Sequence, residues 1–247
     1  MGYLGVGGRD VCALRMLCSA ICTLRIQRLR LRGSSALGDE PLRLERPIEL
    51  FSCVDGGEPA RLVATGALAA SWPDGGAPGG LAEEYDEAEA LVVKAPARLV
   101  HVVLTGTVVA EAGANFAADD CTIEGMLTVD DGASATLQRR SEGNGADVCG
   151  RLSLLNSSLS DNEGRGLCVY GGGRAELCGT SRIERNASVE AQVVVLGTLS
   201  VVGSSVVVAA AQGEAAGRVD GGVVMLEGGA NPAGWSAEAG GRLVVVA

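Results

Sequence analysis

Aromatic side chains are scarce in this chain: among 247 residues there are 2 Phe, 3 Tyr and 2 Trp. Lysine and histidine occur once each, as Lys94 and His101. The interior must therefore be built from aliphatic side chains, which supply most of the 47% hydrophobic content. That content is too high for a disordered chain, and 37 glycines indicate many tight turns.

Basic residues are also fewer than acidic ones, and the net charge is therefore −10. Residues 1–33 run against this trend with six Arg and one Asp. The acidic remainder repels phosphates, so we expect no nucleic acid partner. Arg9, Asp10 and Arg15 interrupt any secretory signal. The expected location is the cytoplasm or nucleus, with an organelle reached through the Arg-rich start as the alternative.

Metal-binding motifs are missing as well. Eight Cys are scattered without a CxxC pair or a Cys/His cluster, so the sequence predicts no metal and no cofactor. Buried free thiols in a reducing compartment are the simplest interpretation. Residues 191–213 carry no charge over a membrane-spanning length, but their Val-rich pieces are strand-sized and broken by Gly, Ser and Thr. No membrane partner is therefore expected.

What the chain does contain is a repeat. Six segments alternate apolar and polar residues and align without gaps over five positions: 97–101, 114–118, 133–137, 150–154, 173–177 and 197–201. Such alternation places one face inward and one outward. In this alignment His101 falls in an inward column, although a slip of one residue would expose it. Apolar residues follow at Leu104, Ile123, Leu159, Ile183 and Val206, and turn residues follow at Gly106, Gly125, Asn144, Asn162 and Asn186.

Units this short cannot bury a face alone and must stack. Three strands and three turns per unit predict an all-β fold, a right-handed parallel β-helix, with Leu154 and Leu177 in one inward column. The three asparagines are expected to stack as an amide ladder. The stretch 164–186 is then one coil, with a corner at Gly171 to Gly173. The expected division is a helical segment at 1–33, irregular first strands with an acidic Gly/Pro-rich loop at 34–90, and the β-helix at 91–247.

The stretches "GRGLCVYGGGRAELCGTSRIERN" and "NSSLSDNEGRG" resemble the parallel β-helix repeats of the pectin-lyase-like superfamily. In particular they are similar to repeats in F-box proteins with a β-helix substrate domain. The segment "YLGVGGRDVCALRMLCSAICTL" at 3–24 resembles the second half of an F-box. The opening Leu-Pro and first helix of that motif are missing here.

The resemblance implies that the helix would bind a Skp-type adaptor through Val11, Leu14, Leu17 and Ile21, which form an apolar stripe. Two other interpretations stay open for the same segment. It could be an amphipathic cap over the end of the β-helix, or a targeting peptide.

Enzymes with the β-helix fold use clustered carboxylates, often with His, Arg or Lys, to cleave polysaccharides. The candidates here are Asp119, Asp120, Asp130, Asp131 and Asp161. Asp also favours turns, and the Gly-His-Gly and Arg-x-Lys features of pectinolytic relatives are absent.

The sequence therefore favours a non-catalytic binding module for a protein client, and the resemblance implies that this module would belong to an F-box type ubiquitin ligase. The alternative is a carbohydrate-active enzyme or carbohydrate-binding protein. The apolar C-terminal strand around Leu243 to Val246 predicts a truncated chain, an unusual covering loop or self-association through this strand, because solenoids need polar caps for solubility.

Overall fold

A computed structural model describes residues 5–6, 28–31, 34–38, 41–52, 58–64, 89–139, 142–162, 165–186, 191–208, 215–228, 230 and 233–246. These residues form an all-β parallel solenoid and contain no helix. Every strand pair in them is parallel. The predicted β-helix is thus confirmed, while the predicted N-terminal helix lies outside the described residues.

The solenoid has three faces, and the chain visits them in the same order in each coil. Face 1 is an 11-stranded sheet. Its strands are β1 (Gly5–Val6), β2 (Arg28–Leu31), β5 (Ile48–Phe51), β8 (Ala97–Val100), β11 (Asn115–Asp119), β13 (Ser134–Gln138), β15 (Arg151–Leu155), β18 (Arg174–Cys178), β21 (Thr198–Val202), β24 (Val223–Glu227) and β26 (Arg242–Val246).

Faces 2 and 3 together form a 15-stranded sheet, because two long strands turn the corner between them without a break. Those two strands are β12 (Thr122–Val129) and β14 (Glu142–Val148). The other strands of face 2 are β3 (Ser34–Gly38), β6 (Ala60–Ala64), β9 (Val102–Thr105), β16 (Ser158–Ser160), β19 (Arg182–Glu184) and β22 (Val206–Val207). The other strands of face 3 are β4 (Leu42–Leu44), β7 (Glu89–Val93), β10 (Thr107–Ala110), β17 (Leu167–Val169), β20 (Ala191–Val195), β23 (Ala215–Asp220) and β25 (Trp235–Glu238).

The core is one apolar cluster that runs along the solenoid axis. On face 1, Leu154 is paired with Leu177, which is paired with Val201, and the first two are fully buried. A second inward column alternates in size along Phe116, Ala135, Leu152, Ala175 and Leu199. The alternation of large and small side chains lets successive coils interdigitate. From β8 to β26 the face-1 strands follow one another in seven steps.

The first aligned repeat is offset by two residues from the predicted alignment. Ala97 pairs with Phe116, and Leu99 pairs with Ala118. The reason is that the corner between faces 3 and 1 is shorter before β8: Val93 pairs with Ala110 and Ala97 with Phe116, yet Ala97 follows Val93 by 97 − 93 = 4 positions and Phe116 follows Ala110 by 116 − 110 = 6. His101 therefore leaves the inward column and reaches a corner.

A second correction concerns face 2. Val207, and not Val206, is paired with Ile183, and Val206 is exposed. The inward column is formed by Leu62, Leu104, Ile123, Gly143, Leu159, Ile183 and Val207.

The predicted amide ladder is present in a different form. Asn186 is buried, and its Oδ1 accepts from the Asn162 backbone N–H at 3.0 Å. Gln192 Oε1 accepts from the backbone N–H and from Nδ2 of Asn186, both at 3.0 Å. The Asn186 amide thus bonds the backbone of the preceding coil and not a stacked amide, and Gln192 bonds Asn186 within the same coil. The side chain of Asn144 lies outside the described residues. This network satisfies the polar groups at the corner between faces 2 and 3.

In the described part of the chain, no helix is long and apolar enough to cross a membrane. The described portion of the uncharged stretch at 191–213 forms β20, β21 and β22.

Candidate functional site

In seven successive coils, beginning with the coil of β8, the corner between faces 1 and 2 places one residue in the left-handed backbone region. Successive strand pairs bring seven such residues into one row, here called the corner column: His101, Asp120, Arg139, Asn156, Gly179, Gly203 and Gly228. Their φ angles run from 53° to 72°. Glycine adopts this conformation without a steric cost, whereas other L-residues do so at about 1–2 kcal/mol each.

The corner column changes character along the axis. Its last three members are glycines, but its first four carry polar or charged side chains. All four of these side chains line a surface groove of about 630 Å³, here called the corner groove. The remaining lining residues are Arg28, Glu49, Arg98, Val100 and Asp119.

Asp119 is the central anion of the groove and the most deeply placed of the predicted carboxylates. Only 3% of its side chain is exposed. Its Oδ2 accepts from Arg98 Nη2 at 2.5 Å and from Gln138 Nε2 at 3.3 Å, and it forms an ion pair with Arg139 Nη1 at 3.3 Å. Two guanidinium groups therefore share one buried carboxylate, and this trio carries a net positive charge.

His101 and Asp120 occupy neighbouring positions in the corner column. His101 Nδ1 lies 3.1 Å from Asp120 Oδ2, and about half of the Asp120 side chain is exposed. The two residues are 19 positions apart in the sequence, so the pair forms only because one coil stacks on the next. Arg139 follows Asp120 by the same interval, and this spacing was the signal that sequence reasoning missed.

A further charged pair, Arg28 and Glu49, borders the groove on the side of the first coils. Arg28 Nη2 donates to Glu49 Oε1 at 2.7 Å, and its guanidinium lies 5.0 Å from the centre of the Phe51 ring. The groove therefore presents alternating charges in an acidic protein. A ligand of mixed charge would match it better than a uniformly charged one.

The other predicted carboxylates lie elsewhere. Asp130 and Asp131 belong to the turn between faces 3 and 1, where the Asp130 carbonyl accepts from the Ala133 N–H at 3.0 Å. Asp161 lies at the corner between faces 2 and 3, where Arg185 Nη2 and Nε donate to its two oxygens at 2.8 and 2.9 Å. These hydrogen bonds lower the pKa of the Asp161 carboxyl. The five predicted carboxylates thus do not converge on one site.

Face 3 carries a separate group of titratable side chains. Burial raises the pKa of Asp147, Cys168 and Cys149, and burial together with the Asp147 charge raises the pKa of Tyr170 to about 12. Such shifts disfavour the thiolates that nucleophilic chemistry would need. Within the described ranges, no three His, Cys, Asp or Glu side chains are placed to hold a metal ion. The predicted adaptor-binding residues Val11, Leu14, Leu17 and Ile21 lie outside the described residues.

Comparison with known proteins returned no matching protein-family model, no matching curated protein and no matching solved structure. No match therefore supports the resemblance to pectin-lyase-like or F-box proteins.

Proposed function

We propose that this chain is a non-catalytic binding module that holds a protein partner in the corner groove. The corner column carries this proposal. In four consecutive coils a non-glycine residue has a left-handed backbone conformation: His101, Asp120, Arg139 and Asn156. Glycine occupies the same position in the next three coils. Strained non-glycine residues that cluster in one groove are typical of a functional site.

One member of the column also has a structural role. Asn156 Oδ1 accepts from the Thr180 N–H at 3.1 Å and occupies the space above Gly179. Among the hydrogen bonds described, the side chains of His101, Asp120 and Arg139 make no comparable contact with the backbone of a neighbouring coil. These three residues are therefore the best candidates for contact with a partner.

A binding role fits the state of the carboxylates better than catalysis does. Asp119 is almost fully buried, accepts hydrogen bonds from Arg98 and Gln138 and forms an ion pair with Arg139, so it is poorly placed to exchange a proton with a substrate. Of the other candidate carboxylates, Asp120 lies in the groove beside His101, whereas Asp130, Asp131 and Asp161 lie at two other corners of the solenoid.

The test exploits the glycines of the corner column. A His101→Gly, Asp120→Gly, Arg139→Gly triple variant should unfold at the same or a higher denaturant concentration, because it removes left-handed strain. Affinity capture from cell extract should then be compared between wild type and this variant. We expect proteins that are bound by wild type and lost in the variant. An identical set of bound proteins would contradict the proposal.

At the finer level, we propose that the module is the substrate receptor of an F-box type ubiquitin ligase. The support is the order of the two resemblances, a partial F-box pattern at 3–24 followed by β-helix coils. A pull-down with a Skp-type adaptor tests this, using residues 1–247 and a version extended upstream. Binding that is lost in Leu14→Asp supports the receptor role. Absence of binding by both versions would leave a binding module outside such a ligase.

The alternative function is action on a carbohydrate, and one observation favours it. The corner groove combines His101, Asp120 and arginines, which are residue types that β-helix enzymes use. Incubation with polygalacturonate and with neutral glucans, followed by a reducing-end assay, decides between the two. Product that is formed by wild type and abolished in Asp120→Asn would favour the enzyme over the binding module.

A further inference from the structure

We propose that the corner groove binds a carboxylate of a mixed-charge peptide segment through Arg98 and Arg139. This inference rests on the proposed binding function and names the chemistry of the ligand. It follows from the charge balance of the trio formed by Arg98, Asp119 and Arg139.

Two guanidinium groups converge on the single oxygen Asp119 Oδ2. Arg98 makes the shorter contact, at 2.5 Å, whereas Arg139 contacts that oxygen at 3.3 Å and keeps 74% of its side chain exposed. Arginine presents five N–H donors in a planar fork, so Arg139 retains donors that can face the groove. A carboxylate of a ligand would accept charge-assisted hydrogen bonds from these donors and add a second anion to the trio.

The neighbouring carboxylates define what surrounds that anion. Asp120 lies next to Arg139 in the corner column, and Glu49 lies next to Arg98 on face 1, where it pairs with Arg28. Both would attract basic groups on a ligand. The whole chain carries a net charge of −10, which repels polyanions such as nucleic acids or polyuronates at long range. A peptide with one acidic side chain between basic ones matches both the mixed charges of the corner groove and the negative net charge of the whole chain.

Val100 adds an apolar patch to the groove lining between the charged residues. It would contact the aliphatic parts of a peptide. The groove volume of about 630 Å³ accommodates several side chains.

The single histidine provides the readout. Because His101 lines the groove and is the only His in the chain, its imidazole proton signals in a nuclear magnetic resonance spectrum report binding without assignment. The probe is a blocked RAEAR peptide, titrated at low salt, and the matched control is RAQAR. We expect saturable shifts of the His101 signals, with RAEAR binding at least about tenfold more tightly than RAQAR.

Arg139→Gly is the decisive variant. Glycine occupies the same position at Gly179, Gly203 and Gly228, so the variant should keep or raise the unfolding midpoint. It should lose the preference for RAEAR, and Arg139→Gln should lose it too. Arg174→Gln, an exposed arginine of face 1 outside the groove, should bind as wild type does.

Equal binding of the two peptides, or an Arg139→Gly variant that still prefers RAEAR, would overturn the inference. Acetate or inorganic phosphate that binds as tightly as RAEAR would overturn the peptide as ligand, as would tighter binding of polygalacturonate. Failure here is distinguishable from failure of the proposed function. If the triple glycine variant loses its captured partner while RAEAR does not bind, the module stands and only the ligand class is wrong.

Discussion

At the scale of single residues, Cys121 shows how the solenoid uses small side chains next to the corner column. It occupies a row with Ser157, Ser181 and Ser205, all of them buried. Its Sγ lies 3.3 Å from the Asp119 carbonyl, to which the thiol donates. Burial raises the pKa of the Cys121 thiol from 9.0 to about 11.

This shift predicts an alkaline loss of stability. The folded state holds the Cys121 proton more tightly than the unfolded state, so the stabilisation is complete below pH 9 and is lost as the pH rises to about 11. The loss is on the order of 2–3 kcal/mol. Cys121→Ser should fold, since serine fills the equivalent positions, and should not show this loss. Urea unfolding at pH 8, 9, 10 and 11 measures it.

Cys178→Ser is the control for that experiment, because Cys178 is only partly buried and lies on the outer side of face 1. It should follow the wild-type pH dependence closely. If Cys121→Ser loses stability between pH 9 and 11 as steeply as wild type does, the raised pKa is not the cause.

The three consecutive glycines at the corner between faces 3 and 1 have three different environments. Gly172 has a φ of 89°, which favours glycine. A Cβ on Gly173 would overlap the Val148 carbonyl oxygen of the preceding coil and would lie 3.1 Å from the Tyr170 oxygen. A Cβ on Gly171 would meet nothing within 4 Å.

Adjacent substitutions should therefore have opposite effects. Gly173→Ala should destabilise the fold by about 2 kcal/mol or more, because backbone atoms of two coils must separate. Gly171→Ala should be neutral or should stabilise by up to about 1 kcal/mol, because it restricts the unfolded chain. Urea unfolding midpoints of the two variants provide the measurement. Equal destabilisation by both would show that the coils at this corner are spaced differently.

At the scale of strands, stability depends on columns of equivalent residues and not on single strands. Leu177 in β18 lies between Leu154 of β15 and Val201 of β21. Each such side chain contributes roughly 1.5–3 kcal/mol through burial. The neighbouring Leu155 faces outward and is 40% exposed.

Leu177→Asp should unfold the protein, since it buries a charge without a partner. Leu155→Asp should remain folded, with a change of at most about 1 kcal/mol. Circular dichroism and gel filtration of the two variants check this prediction. A soluble Leu177→Asp protein with the wild-type spectrum would contradict the inward column.

At the scale of the whole molecule, the solenoid presents the outer edge of β26. This strand pairs with β24 on one side, and no described strand pairs with it on the other. Val245 continues the inward column through Leu226, yet it is 57% exposed. An exposed strand edge with apolar side chains is a template for pairing with another chain.

The sequence of β26 is compatible with pairing to a second copy of itself. In an antiparallel pair centred on Val244, Leu243 of one copy lies opposite Val245 of the other, and both belong to inward columns. We therefore expect this chain to form a dimer through β26. Sedimentation velocity should show a dimer fraction that rises with concentration.

Val245→Lys should shift that equilibrium to the monomer without lowering the unfolding temperature. Val206→Lys is the matched control, because Val206 is also an exposed valine but lies on face 2, away from this edge. It should leave the dimer unchanged. A wild-type chain that stays monomeric at its highest soluble concentration would rule out pairing through β26.

Much of the fold was predictable from local pattern. Alternation of apolar and polar residues determines which side chains face inward, and glycine or asparagine marks the corners. In a solenoid, each inward residue contacts its equivalent one coil away, so the paired residues Leu154 and Leu177 followed from the alignment alone. The prediction of which β8 side chains face inward was also right, because an offset of two residues preserves the alternation of inward and outward side chains.

The corner groove could not be predicted in the same way. The aligned segments start 17 to 24 residues apart, and the number of residues in each corner decides which polar side chains meet. His101 came next to Asp120, and Arg98 next to Asp119, only because β8 pairs with β11 at that offset. The sequence by itself determined the inward columns, since alternation within a strand is local. Tertiary stacking alone decided the charged cluster, since its contacts join residues about 20 positions apart whose register depends on the corners between them.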